Sequence, residues 1–451
     1  MLHFSEEYFK NEVRDGFAVS EMMKRVWAAQ LEVLCKIIEI CDKYHLTYYA
    51  YWGTLLGTVR HKGYIPWDDD LDIALKKDDY LTFLEVAKKE LPPEYCVLNY
   101  YTETEWDNVF TRVTNGHELN FAERFMEQYH NCPLIVGVDV FPLYYLPRNE
   151  ADGEVQKSVL KLISEVESMV EEEAEPLKNE SIVQCLVELE KITGYVFTTD
   201  RPLRNQLQIL YDQMSQLFDE QEGDELTVFP IHLKNGYSVT KEQLGDGILM
   251  PFENIMINAP VRYDEILTKT FKDYMVPRRV KAAHDYPFFK GQLQVWMQYV
   301  EERDGRKNVD FAEEWMDKIY PNGKDGKKKK IVLYHASVDE LISNGGYVLD
   351  KLRYVLDVFR DNLNVLVWWY ANILESPKLV RLQKMVPELY TGYLQLVEEY
   401  KRDNLGIYDE SGDMQRAVAM ADGYFGDECE LMELFKETGK PIMLQDYEIV
   451  K

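Results

Sequence analysis

A chain of 451 residues with 79 acidic and 51 basic side chains carries a formal charge of −28. Such acidity excludes nucleic-acid backbones and anionic membrane surfaces as general partners and confines any anion site to a local cleft. The length is enough for two or more domains with ample core.

The opening stretch MLHFSEEYFKNEV lacks the basic-then-apolar pattern of a signal peptide. No apolar run approaches the length of a membrane span, and Asn364 to Leu374 is too short. Cys35, Cys41, Cys96, Cys132, Cys185 and Cys429 are scattered without a Cys-x-x-Cys pair. That pattern reads as reduced thiols rather than disulfides or zinc ligands. The expected location is the cytoplasm, with a peripheral position at the inner face of the membrane as the alternative.

Residues from about Glu21 to Tyr44 predict an amphipathic helix with Leu31, Leu34, Ile37, Ile38 and Cys41 on one face. Thr47 to Trp52 is rich in strand-forming aromatics. Gly53-Thr54 follows, and Leu55 to Arg60 reads as a short helix. Strand, glycine-threonine and helix make an arrangement able to cradle phosphate. Glycine admits the ligand, threonine caps the helix, and the exposed N–H groups favour an anion. Gly-Thr before a helix is also a common plain cap. Arg60, His61 and Lys62 add positive charge before the turn at Gly63 and Pro66.

Four aspartates then fall within five residues: Asp68, Asp69, Asp70 and Asp72. Leu71 to Leu75 reads as a strand, so Asp70 and Asp72 project to one face and can grip one hard cation, Mg²⁺ or Mn²⁺. Without a cation, the paired carboxylates would raise one pKa and cost stability. The plain alternative is a solvated acidic turn. Beside a metal, Asp68 and Asp69 are expected to support the ligands or to stabilise the turn. Further on, Asp139 interrupts the apolar run Val136 to Pro142. A carboxylate there is paired, metal-bound, or satisfied by backbone N–H groups at a strand end.

From Asp152 to Glu222 the pattern is helical and charged, with Glu171-Glu172-Glu173 as a solvated face. Pro321 to Lys330 reads as a linker. Beyond it, Ile331–Tyr334 and Val365–Trp369 are short apolar strands, and helix and strand segments alternate to Pro441–Leu444. That alternation predicts a small parallel α/β domain.

Glycine-threonine after a strand, a flanked Asp-x-Asp and a later strand aspartate together resemble the nucleotidyltransferase fold. More specifically, GTLLGTVRHKGYIPWDDDLDIAL resembles the core motif of the LicD and fukutin phosphotransferase family. Phe110-Thr111-Arg112-Val113 resembles its basic strand, and Val138-Asp139-Val140-Phe141-Pro142-Leu143 resembles its IDxFPL strand. Pro251-Phe252-Glu253-Asn254, Tyr263–Leu267 and Phe271–Met275 resemble its late region, which ends near His284. Phe271-Lys272 replaces the usual Tyr-Gly, and Thr114-Asn115-Gly116 stands where the family has Asn-Thr.

The resemblance implies transfer of a phospho-alcohol from a CDP-linked donor, such as CDP-choline, to a hydroxyl of a cell-surface glycan. Lipopolysaccharide and teichoic acid are the acceptor classes in view. It implies Asp70 and Asp72 as metal ligands and Asp139 as a further ligand or as the base. Gly53 and Thr54 would hold donor phosphate, with Arg60, Lys62, Arg112 and His284 as further phosphate contacts. Tyr64 and Trp67 beside the acidic motif could form an aromatic cage for choline, although core packing is the commoner use of such residues.

The expected fold is α/β: a nucleotidyltransferase-like mixed sheet over residues 1–320 with a helical insertion at 152–222. A linker at 321–330 and a smaller Rossmann-like parallel domain at 331–451 complete it. That C-terminal part resembles the nucleotide-binding half of CDP-glycerol glycerophosphotransferases through Ala421–Asp427 and Gly439-Lys440-Pro441. Asp427-Glu428-Cys429 and Tyr370-Ala371-Asn372-Ile373 depart from that family's phosphate-binding residues, so acceptor binding, oligomer contact or support is expected of it. Two rival readings are an inactive glycan- or partner-binding protein and a nucleotidyltransferase that makes an NDP-alcohol.

Overall fold

The computed structural model describes residues 1–278 apart from 11, 16 and 20, then 287–289, 292, 315 and 318–320. It also describes 327–445 apart from 361–363, 372–375, 404–405, 411–413 and 437. His284 and most of the 321–330 segment lie outside the described residues. The chain divides into two compact units. One comprises residues 1–4, 26–118 and 134–282, and the other 5–25, 119–133 and 283–451.

Helix α1 spans Glu21–Tyr44. Leu31, Leu34, Ile37 and Cys41 are buried as the periodicity predicts, but so are Val26, Trp27, Ala28, Ala29 and Val33. The N-terminal half is buried on all sides, with Lys24, Arg25, Gln30 and Glu32 included, while the C-terminal half keeps an exposed polar face at Glu39, Asp42 and Lys43, as an amphipathic helix does. The sheet of the first unit starts with strand β1 (Tyr48–Ala50), followed by α2 (Trp52–Arg60), β2 (Asp72–Lys76) and α3 (Lys77–Glu90). Strands β3 (Cys96–Leu98), β4 (Thr111–Thr114) and β5 (Gly137–Leu146) follow. Their order is β1-β2-β5-β4-β3, with β2 and β5 parallel and the other pairs antiparallel. Ile73, Ala74 and Leu75 are all buried, as expected for a central strand covered on both faces.

Three helices form the insertion: α4 (Glu150–Glu172), α5 (Glu180–Thr193) and α6 (Leu203–Ser215). Ile163, Val166, Ile182, Leu186, Leu207 and Leu210 make its own core. Tyr144 of β5, Leu160 of α4 and Phe229 pack together and tie the insertion to the sheet. Strand β6 (Glu225–Thr227) then pairs with β5, and β7 (Val239–Thr240) with β6. The hairpin β8 (Ile248–Phe252) and β9 (Ile255–Ala259) follows.

The second unit holds a parallel sheet of β10 (Lys330–His335), β11 (Val365–Tyr370), β12 (Ile407–Asp409), β13 (Gly423–Gly426) and β14 (Ile442–Leu444). Their order is β12-β11-β10-β13-β14, the doubly wound arrangement in which strand order reverses beside the first strand. Side chains alternate between two cores: Tyr334, Val367 and Trp369 face one helix layer, and Leu333, Leu366 and Trp368 face the other. Strand order by itself identifies no activity for this sheet. No helix among the described residues is long and apolar enough to cross a membrane.

Candidate active site

The register of β2 on β5 places Asp72 opposite Asp139. Strand β4 places Arg112 opposite Asp139 on its other side. Three residues far apart in sequence thus meet at one level of the sheet. The Asp139 N–H donates to the Leu71 carbonyl at 2.8 Å, and the Tyr51 N–H donates to the Asp72 carbonyl at 3.0 Å, so backbone hydrogen bonds help to fix the strand ends.

Arg112 grips Asp139 with two parallel hydrogen bonds, Nε to Oδ1 at 2.6 Å and Nη2 to Oδ2 at 2.7 Å. This fork geometry is open to arginine and not to lysine. The guanidinium also lies over the rings of Trp106, at 5.9 Å, and Phe110, at 5.4 Å. Phe110 packs on Phe141 and Phe141 on Tyr51, giving one wall of aromatic side chains beside the charges.

Asp72 is buried, and its carboxyl is held well above the usual carboxylate range. Burial is the main cause, followed by the negative charges of Asp70, Asp139 and Asp68, with Arg112 pulling the other way. Strand β2 begins at Asp72, so Asp70 sits in the turn before it rather than on the strand. Alternation along the strand therefore does not by itself align the two carboxylates. Among the described residues, no group of three His, Cys, Asp or Glu side chains stands ready to hold a metal.

The acidic turn is built from below by α1. Trp27 Nε1 donates to the Asp68 carbonyl at 3.1 Å and Gln30 Nε2 to the Asp69 carbonyl at 2.8 Å. Tyr64 stacks on Trp27 with ring centres 4.6 Å apart and donates to the Trp27 carbonyl. Tyr64 is therefore core, and Trp67 meets the edge of His61 at 6.4 Å. Glu253 of the late region accepts from the Tyr64 N–H and donates its own N–H to the Lys62 carbonyl, bracing the turn between α2 and the acidic run. Trp27 and Gln30 carry no motif and are found only through these contacts.

Helix α2 starts earlier than its sequence suggests. Gly53 and Thr54 lie inside its first turn, Tyr51 is the N-cap residue, and no side chain caps that end. Thr54 does not cap. Its hydroxyl accepts from the Asp72 N–H at 2.8 Å and so ties the helix to the strand. A Cβ on Gly53 would collide with Oδ2 of Asp68, which shows that this carboxylate rests against the helix N-terminus, a position that favours negative charge.

Of the predicted residues, the structure brings together Gly53, Thr54, Asp70, Asp72, Arg112 and Asp139. It places Arg60 and Lys62 at the other end of α2, roughly 10 Å along its axis from Gly53. There Arg60 donates to the Tyr274 carbonyl at 2.9 Å, and Lys62 to the Val59 carbonyl at 3.1 Å.

Residues 45–188 match the model of the LicD/FKTN/FKRP nucleotidyltransferase domain. The chain is 36% identical over 272 residues to the lipopolysaccharide cholinephosphotransferase LicD of Haemophilus influenzae, covering 56% of this chain and 93% of that protein. Shorter similarities reach two uncharacterized proteins. One, of Rickettsia prowazekii, is 39% identical over 67 residues, covering 15% of this chain and 23% of that protein. The other, of Rickettsia typhi, is 40% identical over 62 residues, covering 14% and 18%.

Proposed function

The chain belongs to the LicD/FKTN/FKRP family, and from that premise we propose that it is a metal-dependent phosphotransferase acting on a cell-surface glycan. The donor is a CDP-linked alcohol, with CDP-choline first in line because the Haemophilus influenzae relative is a cholinephosphotransferase. The acceptor is a hydroxyl of a lipopolysaccharide or of a related surface glycan.

The observation that carries this reading is the set of Asp72, Asp139 and Arg112 in register across β2, β5 and β4. In the transfer, the acceptor oxygen bonds to the phosphorus bearing the alcohol. The pyrophosphate P–O bond breaks, CMP leaves, and the hydroxyl proton passes to a carboxylate. Asp70 and Asp72 would hold Mg²⁺ or Mn²⁺. Burial of Asp72 among like charges is a strain that a hard cation would relieve, and carboxylate oxygens are the donors such an ion prefers. The bound ion would supply neutralisation of phosphate charge in the transition state.

Asp139 would serve as a further ligand or as the proton acceptor through the lone pairs that the two Arg112 hydrogen bonds leave open. The guanidinium N–H groups not bonded to Asp139 would donate to a phosphate oxygen. Thr54 keeps the start of β2 against α2, which positions Asp72.

The test is product analysis with CDP-choline, CDP-ribitol and CDP-glycerol, Mg²⁺ or Mn²⁺, and a deacylated lipopolysaccharide as acceptor. Metal-dependent CMP release is expected with one donor and is lost in the Asp70→Ala, Asp72→Ala double variant. Pyrophosphate release from CTP and a phospho-alcohol would instead make the chain a nucleotidyltransferase. Neither product from a folded protein would leave glycan binding alone.

A further inference from the structure

The first unit contains a cavity of ≈ 530 Å³ that none of the chemistry above uses. Its size falls within the roughly 300–1,000 Å³ typical of small-molecule sites. It lies where β5 changes partner. Residues 137–140 pair with β4 and residues 144–146 with β6, so the antiparallel partners stop on either side of Phe141–Leu143. Val109 and Pro142 line the cavity from one side of that interval, and Val228, Phe229 and Pro230 from the other. Side chains alternate along β5, which puts Pro142 and Tyr144 on the face opposite Asp139 and Phe141. The insertion helices α4 and α6 close the space through Ser164, Gln208 and Tyr211.

The lining defines a chemistry. Tyr100, Tyr144, Tyr211 and Phe229 offer apolar ring surfaces. Asp212 is buried, and its oxygens accept from Tyr101 at 2.6 Å, from Gln216 at 2.5 Å and from Tyr144. Glu167 is engaged by Arg204 and by Gln208. Asp107 and Glu165 stand against Lys161 and Lys234, Glu167 is paired with Arg204, and Asp212 is held by neutral donors, so the lining carries no excess of positive charge. A phosphate gains nothing from such a lining. A neutral, hydroxyl-rich ring gains stacking on the aromatic faces and hydrogen bonds to Asn108, Gln208 and Ser164.

We propose that this cavity holds a sugar unit of the acceptor glycan, apart from the reacting hydroxyl. The proposal rests on the phosphotransferase reading for its choice of glycan. The loop from Trp106 to Phe110 joins the two places. Trp106 and Phe110 flank the Arg112 guanidinium, while Asp107, Asn108 and Val109 line the cavity. A sugar bound there therefore touches the same loop that positions the arginine.

The test uses the full chain and a deacylated lipopolysaccharide oligosaccharide, titrated by calorimetry beside CDP-choline. The variants are Ser164→Trp, which fills the cavity from α4, and Gln208→Ala, which removes one amide. Thermal melts confirm that both fold. The expected result is an oligosaccharide Kd raised at least tenfold by the first and several-fold by the second, with the CDP-choline Kd within twofold throughout. Equal oligosaccharide affinity in all three proteins overturns the proposal. So does a loss of CDP-choline rather than oligosaccharide in Ser164→Trp, and so does a wild type that binds CDP-choline but no oligosaccharide. Oligosaccharide binding sensitive to both variants in a protein that binds no CDP-alcohol supports the cavity and defeats the donor assignment instead.

Discussion

At the residue scale the site is a balance of charges held by two arginine hydrogen bonds. Arg112 meets a buried Asp139, yet its own side chain is 41% exposed. Arg112→Ala is therefore expected to cost roughly 1–3 kcal/mol, less than the value for a fully buried pair, because solvent screens the guanidinium. Urea denaturation measures this. Arg112→Lys keeps the charge but loses the fork, and transfer should fall at least tenfold. Asp72 behaves in the opposite sense. Its carboxyl is held high by burial and by neighbouring aspartates. Asp72→Asn removes that repulsion and is expected to stabilise the fold by on the order of 1 kcal/mol while abolishing transfer. Loss of stability together with loss of activity would show that Asp72 is a structural residue.

At the element scale, α2 carries two glycines with different neighbours. A Cβ at Gly57 would strike the Gly63 carbonyl oxygen, a backbone atom that cannot move alone. A Cβ at Gly53 would strike the Asp68 carboxylate, the far end of a flexible side chain. Gly57→Ala should thus destabilise by roughly 1–3 kcal/mol. Gly53→Ala should be close to neutral in a melt, since alanine also favours the helix, yet should impair turnover by displacing Asp68.

In the second unit, Glu21 meets Asp339, with Lys378 bonded to both and Arg25 to Glu21. Burial and Asp339 push Glu21 up to about 7, and Asp339 is held down at about 2. A carboxyl raised on folding contributes stability that is present below its ordinary range and lost as pH rises toward 7. One depressed on folding contributes stability that is lost as pH falls below its ordinary range. Thermal stability should therefore fall from about pH 4.5 to 7 through Glu21. Glu21→Gln should remove that slope and leave the acid limb due to Asp339.

Local pattern made much of the site legible. The aspartate run, the Asp139 strand and the alternation of strands and helices are all short-range signals, and each element stands within a few residues of its expected place. What the sequence hid depends on register and on element starts. That Arg112 faces Asp139 follows from the pairing of β4 with β5 and from no spacing in the chain. Because α2 begins at Trp52, Thr54 turns to the strand rather than capping, and Arg60 and Lys62 leave the neighbourhood of Gly53. The support of the acidic turn by Trp27 and Gln30 spans about forty residues and leaves no motif.

At the scale of the whole molecule, family membership and a compact acidic–arginine cluster meet in the first unit. The second unit contributes a doubly wound parallel sheet whose order fixes no chemistry. Arg112, held over the Trp106 and Phe110 rings, supplies positive charge beside the carboxylates of this acidic chain. The most direct measurement follows radiolabelled phosphocholine from CDP-choline into deacylated lipopolysaccharide and counts the CMP released, with Mg²⁺, in wild type and Asp72→Asn. One CMP per phosphocholine transferred, abolished by chelation and by the substitution, is the predicted result. Transfer that survives both in a folded protein would contradict the assignment of this cluster as the active site.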